Sequence, residues 1–232
     1  MKKKYHQNLK KLRDKIKISS EIEVQEISYV LKWLKLRNLK NKMKVKKINI
    51  NQVRDWSHDK NGNLFHKSKQ FFNVTGVRVF KAEREVARWD QLILAQKHGG
   101  ILAILMREKK NRVIEFLLYA RKEPGDINLK LSPSFSATQS NINLVHGGKK
   151  TPLTDIIFDK KGTNLICKTI HYEEGARFWR KTNQNLLIKI NEKIQSKIKG
   201  KNFIWLNMSQ IKKLNLIKGI INPFVKTILF MI

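Results

Sequence analysis

The chain has 232 residues, of which 41% are apolar, so it is long enough and apolar enough to fold around a core of its own. Its 49 lysines and arginines outnumber 18 aspartates and glutamates, giving a formal net charge of +31. Such a charge is typical of proteins that bind nucleic acid, acidic membranes or phosphate-bearing ligands. The lysines are spread along the whole chain, however, so a generally lysine-rich composition explains the charge equally well. The net charge therefore does not distinguish among these partners.

The single cysteine, Cys167, lies in an apolar run and is predicted to be a buried small hydrophobe, as expected in a reducing compartment. The first residues lack the apolar stretch of a secretory signal. The apolar run 219–232 contains Asn222, Pro223 and Lys226 and is too short to cross a bilayer. We therefore predict a cytoplasmic protein.

The first predicted element is helical. Ser20 and Glu23 have the spacing of a capping box, and apolar residues then recur at helical intervals, namely Ile27, Val30, Leu31 and Leu34. We predict helix to about Leu39 and treat residues 1–50 as a basic helical N-terminal extension. Residues 51–232 are predicted to form the main domain.

Short apolar runs follow after Trp56. Five are of strand length and rich in β-branched or aromatic residues: 71–80, 101–106, 113–120, 165–170 and 186–190. From Asn207 onward the apolar spacing predicts two helices. Strands flanked by helices predict an α+β domain with a mixed sheet.

Two long polar segments, 123–140 and 141–152, separate the predicted strands. Loops of this length in a compact domain are usually functional or disordered, and their turn chemistry favours function. We therefore predict the binding site here.

Several common site types are missing from the sequence. There is no GxxxxGK[ST] or GxGxxG phosphate loop, no HxxxH pair and no GxSxG motif. A metal site is not expected, because nitrogen and sulfur ligands with suitable spacing are lacking.

Three polar clusters remain, and they offer the directional hydrogen bonds that a sugar or a phosphate needs. They are Ala120-Arg121-Lys122-Glu123-Pro124-Gly125; Leu131-Ser132-Pro133 with Ala137-Thr138-Gln139-Ser140-Asn141 and His146-Gly147-Gly148; and Glu173-Glu174-Gly175-Ala176-Arg177-Phe178. The alternative is that each residue merely satisfies the backbone of its own loop.

The clusters resemble the NDP-hexose 2,3-dehydratases, enzymes of deoxysugar biosynthesis. Further matches occur in the same order along the chain: Trp56, His66-Lys67-Ser68, Phe71-Phe72, Gly76-Val77-Arg78-Val79, Trp89-Asp90-Gln91, Ile101-Leu102, Trp205-Leu206 and Asn222-Pro223. The resemblance implies a Nudix-like α+β fold, a mixed β-sheet flanked by helices, with no metal and no cofactor. The closely spaced glutamates of Nudix hydrolases are absent, so pyrophosphate cleavage is not expected.

The implied reaction removes water across C2–C3 of an NDP-4-keto-6-deoxyhexose, in particular dTDP-4-keto-6-deoxyglucose. The product is a 3,4-diketo-2,6-dideoxy sugar nucleotide, which would pass to a 3-ketoreductase or an aminotransferase. Family members usually carry two repeats of this domain, and one repeat is present here. The resemblance therefore implies a homodimer, with neither a nucleic acid nor a membrane as partner.

Glu123, His146 and Glu174 are the predicted acid and base residues, because all three lie on the polar segments. Each also has a structural alternative. Glu123 can form a surface ion pair with Lys122, Glu174 can serve as a turn carboxylate, and His146 can cap the turn at Gly147.

The predicted substrate-binding residues are Trp56, His66, Arg121, Lys122, Ser132, Thr138, Gln139, Ser140, Asn141, Ile142, Gly147 and Arg177. Trp56 offers a flat face for stacking, although a core tryptophan is equally consistent with the sequence. Arg121, Lys122 and Arg177 are the natural partners of a diphosphate. Gln139, Thr75 and Tyr172 depart from the residues common in the family, where an arginine, an acid and a small hydroxyl are usual.

Two other functions remain open at the level of sequence. A basic nucleic-acid-binding protein would account for the charge, although no known recognition element is visible. A catalytically silent module that binds sugar nucleotides would account for the single repeat.

Overall fold

The computed structural model describes residues 2–22, 26–145, 147–159 and 161–232. The helices are α1 (Lys2–Glu21), α2 (Ile27–Leu39), α3 (Gln139–Ile142), α4 (Thr154–Phe158), α5 (Glu192–Gln195), α6 (Met208–Asn215) and α7 (Pro223–Leu229). The strands are β1 (Trp56–His58), β2 (Leu64–His66), β3 (Asn73–Val79), β4 (Trp89–Ala95), β5 (Gly100–Glu108), β6 (Ile114–Arg121), β7 (Lys130–Pro133), β8 (Phe135–Thr138), β9 (Thr163–Tyr172), β10 (Phe178–Trp179), β11 (Thr182–Ile190) and β12 (Phe203–Leu206).

The α+β prediction is confirmed, and the strands divide between two sheets. The small sheet has the order β1-β2-β3-β4-β10, and the large sheet has the order β12-β6-β5-β11-β9, with β7 on β6 and β8 on β5. Both sheets are mixed, because β10 runs parallel to β4 and β11 runs parallel to β5. All five predicted strands are present, one in the small sheet and four in the large sheet.

Helices cover both faces of the large sheet. One face packs against α1, α2, α6 and α7 through a cluster that includes Ile16, Val30, Leu118 and Val225. The other face packs against α3, α4 and α5 through Leu117, Phe135 and Ile194. Alternating strand residues point to opposite faces, so the same strands supply both cores.

The N-terminal helices belong to this packing. The helical prediction to Leu39 is confirmed, since α2 ends there. The capping role of Ser20 is wrong, because α1 continues through it and its hydroxyl donates to the Ile16 carbonyl at 2.8 Å. Glu23 lies outside the described residues. The domain boundary at residue 50 stays a prediction.

The prediction that 123–140 is one polar loop is also wrong. The segment contains β7 and β8, whose residues Leu131, Phe135 and Ala137 are buried. A serine between them can fit a sheet when its hydroxyl pairs with the backbone. Ser134, for example, accepts a hydrogen bond from the Leu105 amide at 2.8 Å. The two helices predicted after Asn207 are present as α6 and α7.

Candidate functional site

Five strand ends meet at one edge of the large sheet, which we call the loop edge. Strands β5 and β11 begin there, and the antiparallel strands β6, β8 and β9 end there. The second and third polar clusters of the sequence are therefore brought together, because one follows β8 and the other follows β9. The first cluster joins them at the end of β6.

Two glycines allow these strand ends to approach closely. A Cβ at Gly99 would lie 1.7 Å from the Thr182 carbonyl oxygen, so only glycine fits between the starts of β5 and β11. At the next position, the Gly100 amide donates to Asn183 Oδ1 at 2.8 Å. Asn183 is thereby fixed beside the end of β8.

A buried polar group extends from Asn183. Its Nδ2 donates to Glu173 Oε1 at 2.6 Å, and Lys181 Nζ lies 3.3 Å from the same oxygen. The Lys181 and Glu173 side chains are only 9% and 12% exposed. Lys181 Nζ also lies 4.5 Å from the centre of the Phe178 ring. A carboxylate, an ammonium and an amide thus meet where little water competes for them.

Glu173 lines a cleft of about 580 Å³ between the small sheet and the segment 172–180. Its walls carry aromatic and cationic side chains, namely Trp89, Tyr172, Phe178, Trp179, Arg78, Arg84 and Arg180. This volume lies within the range of about 300–1,000 Å³ typical of small-molecule sites. The cleft combines stacking surfaces, cations and a carboxylate, which suits a nucleotide bearing a polar sugar.

Hydrogen bonds hold the two walls of the cleft together. Trp89 Nε1 donates to Gln91 Oε1 at 2.8 Å, and Gln91 Nε2 donates to the Ala176 carbonyl at 2.8 Å. The segment 172–180 is therefore fastened to β4. Strand β10 adds a parallel pairing with the same strand.

The arginines of the cleft differ in their availability. Arg78 binds both oxygens of Asp90, at 2.9 and 2.8 Å, and this pairing raises the pKa of Arg78 and lowers the pKa of Asp90. Arg180 lies over the Trp179 ring, 4.7 Å from its centre, and forms no ion pair with any described carboxylate. Arg180 can therefore bind an anion without breaking an ion pair.

The predicted run Thr138 to Ile142 forms the start of a helix rather than an open loop. Thr138 is the N-cap of α3, its hydroxyl lies 2.9 Å from that of Ser140, and Gln139 Nε2 donates to Asn143 at 2.9 Å. Ser140 is buried, and Ile142 packs against the core. Asn141 donates its amide to Thr138 at 3.4 Å.

The predicted cations of the first cluster separate. Arg121 donates to the Ser136 carbonyl at 2.9 Å and lies 2.6 Å from Glu123 Oε1, which joins β6 to β8. Lys122 instead lines a separate cleft against α2. The predicted alternative for Glu123, a surface ion pair, is present with Arg121 rather than with Lys122.

Trp56 and His66 form an aromatic cluster on the small sheet. Their ring centres are 5.6 Å apart, and Trp56 also lies 4.9 Å from Phe72. His66 Nδ1 lies 2.8 Å from the Ser68 hydroxyl. The described residues show no hydrogen bond or ring contact between this cluster and the run 138–142.

The remaining predicted residues lie in varied surroundings. Glu174 pairs with Arg177 at 3.2 Å on the exposed surface. Ser132 is buried in β7 opposite Tyr119, and Gly147 has the positive φ of a tight turn. His146 lies outside the described residues.

Sequence reasoning placed Glu173 in the third polar cluster without assigning it a role, and it missed Lys181 and Asn183. Asn183 could have been found from the two-residue period of β11, which places Asn183, Asn185 and Leu187 on one face of the strand. Because Leu187 is apolar, this period predicts that the two asparagines are buried, as they are. Among the described residues, no group of three His, Cys, Asp or Glu side chains is placed to hold a metal ion. Nor does any described helix have the length and apolarity of a membrane span.

Comparison with known proteins identifies the family. The family model described as NDP-hexose 2,3-dehydratase matches residues 27–232. The chain belongs to the NDP-hexose 2,3-dehydratase family. The match covers both sheets, the loop edge and six of the seven α-helices in the described part of the chain.

Two curated dTDP-4-dehydro-6-deoxy-alpha-D-glucopyranose 2,3-dehydratases are each 31% identical to this chain. The protein from Saccharopolyspora spinosa aligns over 199 residues, which are 85% of this chain and 40% of the relative. The protein from Amycolatopsis orientalis aligns over 189 residues, which are 78% of this chain and 39% of the relative. The chain thus spans about 40% of the length of the curated relatives that it matches.

The crystal structure of C. elegans Ap4A hydrolase is a weak structural neighbour. It has a TM-score of 0.33 and 16% identity, and the match covers 50% of this chain and 84% of the neighbour. The Nudix-like description of this dehydratase-family chain stays a prediction from the resemblance.

Proposed function

We propose that this chain catalyses the loss of water across C2–C3 of an NDP-4-keto-6-deoxyhexose, with dTDP-4-keto-6-deoxyglucose as the substrate. The observation that carries the proposal is the family match over residues 27–232. The names of the curated relatives support the choice of a dTDP-linked sugar.

The proposed reaction needs a base and a stabilised negative charge. The C4 ketone acidifies the proton on C3, so a base removes that proton and the electron pair forms an enolate. The C2 hydroxyl then leaves and takes up a proton to become water. The product is an enol that converts to the 3,4-diketone. No electrons enter or leave, so the balance requires no redox partner.

We assign the base to Glu173 and the stabilising cation to Lys181. The C3 proton and the C4 oxygen of the sugar are carried by adjacent carbons, so groups about 3.3 Å apart can reach both. Lys181, 3.3 Å from the carboxylate, would supply a fixed positive charge near the developing enolate, and such a charge is effective where water is excluded. Asn183 would hold the carboxylate in place.

The cleft around Glu173 is our proposed substrate site. The rings of Trp89, Tyr172 and Trp179 offer stacking faces for the nucleobase of the substrate. Arg180 offers a guanidinium for its diphosphate. The roles predicted from sequence for Trp56, Arg177 and the run 138–142 remain proposals. The acid and base roles predicted from sequence for Glu123, His146 and Glu174 are the untested alternative to the assignment of Glu173.

The decisive experiment is incubation with dTDP-4-keto-6-deoxyglucose and a 3-ketoreductase that traps the unstable product. We expect mass spectrometry to show a nucleotide sugar that has lost one water. Binding of dTDP without conversion would instead support the silent module. Tight RNA binding at physiological salt without nucleotide binding would support the nucleic-acid reading.

We also propose that the chain acts in the cytoplasm as a homodimer and passes its product to a 3-ketoreductase or an aminotransferase. Light scattering at micromolar concentration tests the assembly, and a mass of twice 27.3 kDa is expected. A monomeric mass at that concentration would contradict the dimer. A monomer that still dehydrates the substrate would contradict the dimer and leave the dehydratase proposal intact.

A further inference from the structure

A second cleft lies between α1, α6 and α7 and shares no lining residue with the cleft at Glu173. Its volume is about 570 Å³, and its apolar lining consists of Ile16, Met208, Leu229, Phe230 and Ile232. Ile16, Met208, Leu229 and Ile232 carry aliphatic or thioether side chains. Such a surface fits a flexible hydrocarbon chain, because it offers dispersion contacts without fixed polar groups.

Four cations surround this apolar lining, and they come from three different helices. They are Arg13 and Lys17 on α1, Lys212 on α6 and Lys226 on α7. All four are exposed, and none forms an ion pair with a described carboxylate. Glu21 is the one carboxylate side chain that lines the cleft.

The overall charge of +31 makes basic clefts common on this chain, so the number of unpaired cations is what distinguishes this one: four border its apolar lining, against two, Lys35 and Lys122, in the cleft against α2. In the cleft on β3 and β4, Arg78 is matched by Asp90. At the far end of β5, Lys15 and Lys189 are matched by Glu108. The cations between α1, α6 and α7 instead converge on an apolar surface without such compensation.

The cleft depends on α1, all of which lies before the family-matched residues. The helix is nevertheless fixed to the domain. The Ile114 amide donates to the buried Ser19 hydroxyl at 2.7 Å, and Lys15 Nζ lies 2.9 Å from Glu108. Helix α1 therefore forms a fixed wall of the cleft opposite α6 and α7. This wall lies outside the residues that the family model matches.

We propose that this cleft binds a single-chain amphiphile with an aliphatic tail and a phosphate or carboxylate head group. The tail occupies the apolar lining, and the head group binds the four cations. The volume lies in the range of small-molecule sites.

The test is calorimetric titration of the full chain with dodecyl phosphate below its micellar concentration. We expect saturable binding of one molecule per chain. Inorganic phosphate, which lacks the tail, and monomeric dodecyl maltoside, which lacks the charge, should each bind at least about tenfold more weakly.

Two variants locate the binding. Lys212→Gln combined with Lys226→Gln should weaken dodecyl phosphate binding at least about tenfold. The matched control, Lys46→Gln with Lys47→Gln, removes two exposed charges from the connector after α2 and should bind like the parent. Ser20→Phe should block the cleft without changing its charge, and circular dichroism checks that each variant is folded.

Three results would overturn the proposal. Equal weakening by both lysine pairs would show that diffuse charge binds the ligand. Binding to anionic vesicles without binding of the monomeric amphiphile would show a membrane surface. Tighter binding of an acidic amphipathic peptide than of dodecyl phosphate would show a protein-docking groove.

Discussion

At the scale of single residues, two adjacent glutamates at the end of β9 have opposite surroundings. Glu173 is buried against Lys181 and Asn183, whereas the Glu174 side chain is 65% exposed and pairs only with Arg177. We expect Glu173→Gln to lower the dehydration rate by about 10²–10⁴, because it removes the proposed base. The trapped assay measures the rate, and dTDP binding reports whether the site is intact.

Glu174→Gln is the matched control for this experiment. It should leave the rate within about twofold of the parent, because an exposed ion pair contributes little. The opposite pattern, a tolerant Glu173 and an essential Glu174, would support the role predicted for Glu174 from sequence.

Sequence reasoning could not separate these two glutamates. Which of the two side chains is buried depends on the pairing register of β9 and β11. Just beyond the end of this pairing, the Glu173 amide donates to the Lys181 carbonyl at 2.9 Å. The register is set by contacts between distant parts of the chain, so the local sequence does not reveal it.

Cys167, in contrast, was predicted correctly from its apolar neighbours. It is 3% exposed, and burial raises the pKa of its thiol to about 11.

At the scale of elements, one buried hydrogen bond fastens α1 to β6. Ser19→Ala leaves the Ile114 amide without its partner and should lower the free energy of unfolding by about 1–3 kcal/mol. Urea unfolding measures the loss. Ser28→Ala is the control, because the Ser28 hydroxyl donates to Glu26 at the surface. An equal effect of both variants would contradict a special role for the Ser19 contact.

The junction of β5 and β11 gives a second prediction. Gly99→Ala would place a methyl group 1.7 Å from the Thr182 carbonyl, so the strands must move apart. We expect a loss of about 3 kcal/mol in the free energy of unfolding. Gly76→Ala meets no atom within 4 Å and should be tolerated. Thermal unfolding compares the two, and an unchanged midpoint for Gly99→Ala would contradict the packing described.

Strands and helices could be predicted from the sequence where the local pattern of apolar residues was clear. Continuous apolar runs such as those in β5 and β6 identified strands directly, because both of their faces are buried. Strands β7 and β8 were missed because serine and proline interrupt them. Their identity as strands comes from pairing with β6 and β5, which local composition does not encode.

At the scale of the whole molecule, the net charge of +31 makes self-repulsion a destabilising force. Added sodium chloride screens charges beyond about 10 Å at 0.1 M. We therefore expect the thermal midpoint to rise between about 20 and 200 mM salt at neutral pH. A falling midpoint would show that the ion pairs, such as those of Glu108, outweigh the repulsion.

The parallel pairing of β5 with β11 also bears on the order in which the molecule can be made. Gly100 and Asn183, which join at this pairing, are 83 residues apart in the chain. A ribosome completes α1, α2 and the β1–β4 part of the small sheet well before it releases β11. During that interval β5 and β6 have only part of their sheet, and the unpaired backbone N–H and C=O groups along the edge of β5 stay open to wrong partners. The residues that we propose to act with Glu173 therefore come together only after β11 has been made, when the centre of the large sheet closes.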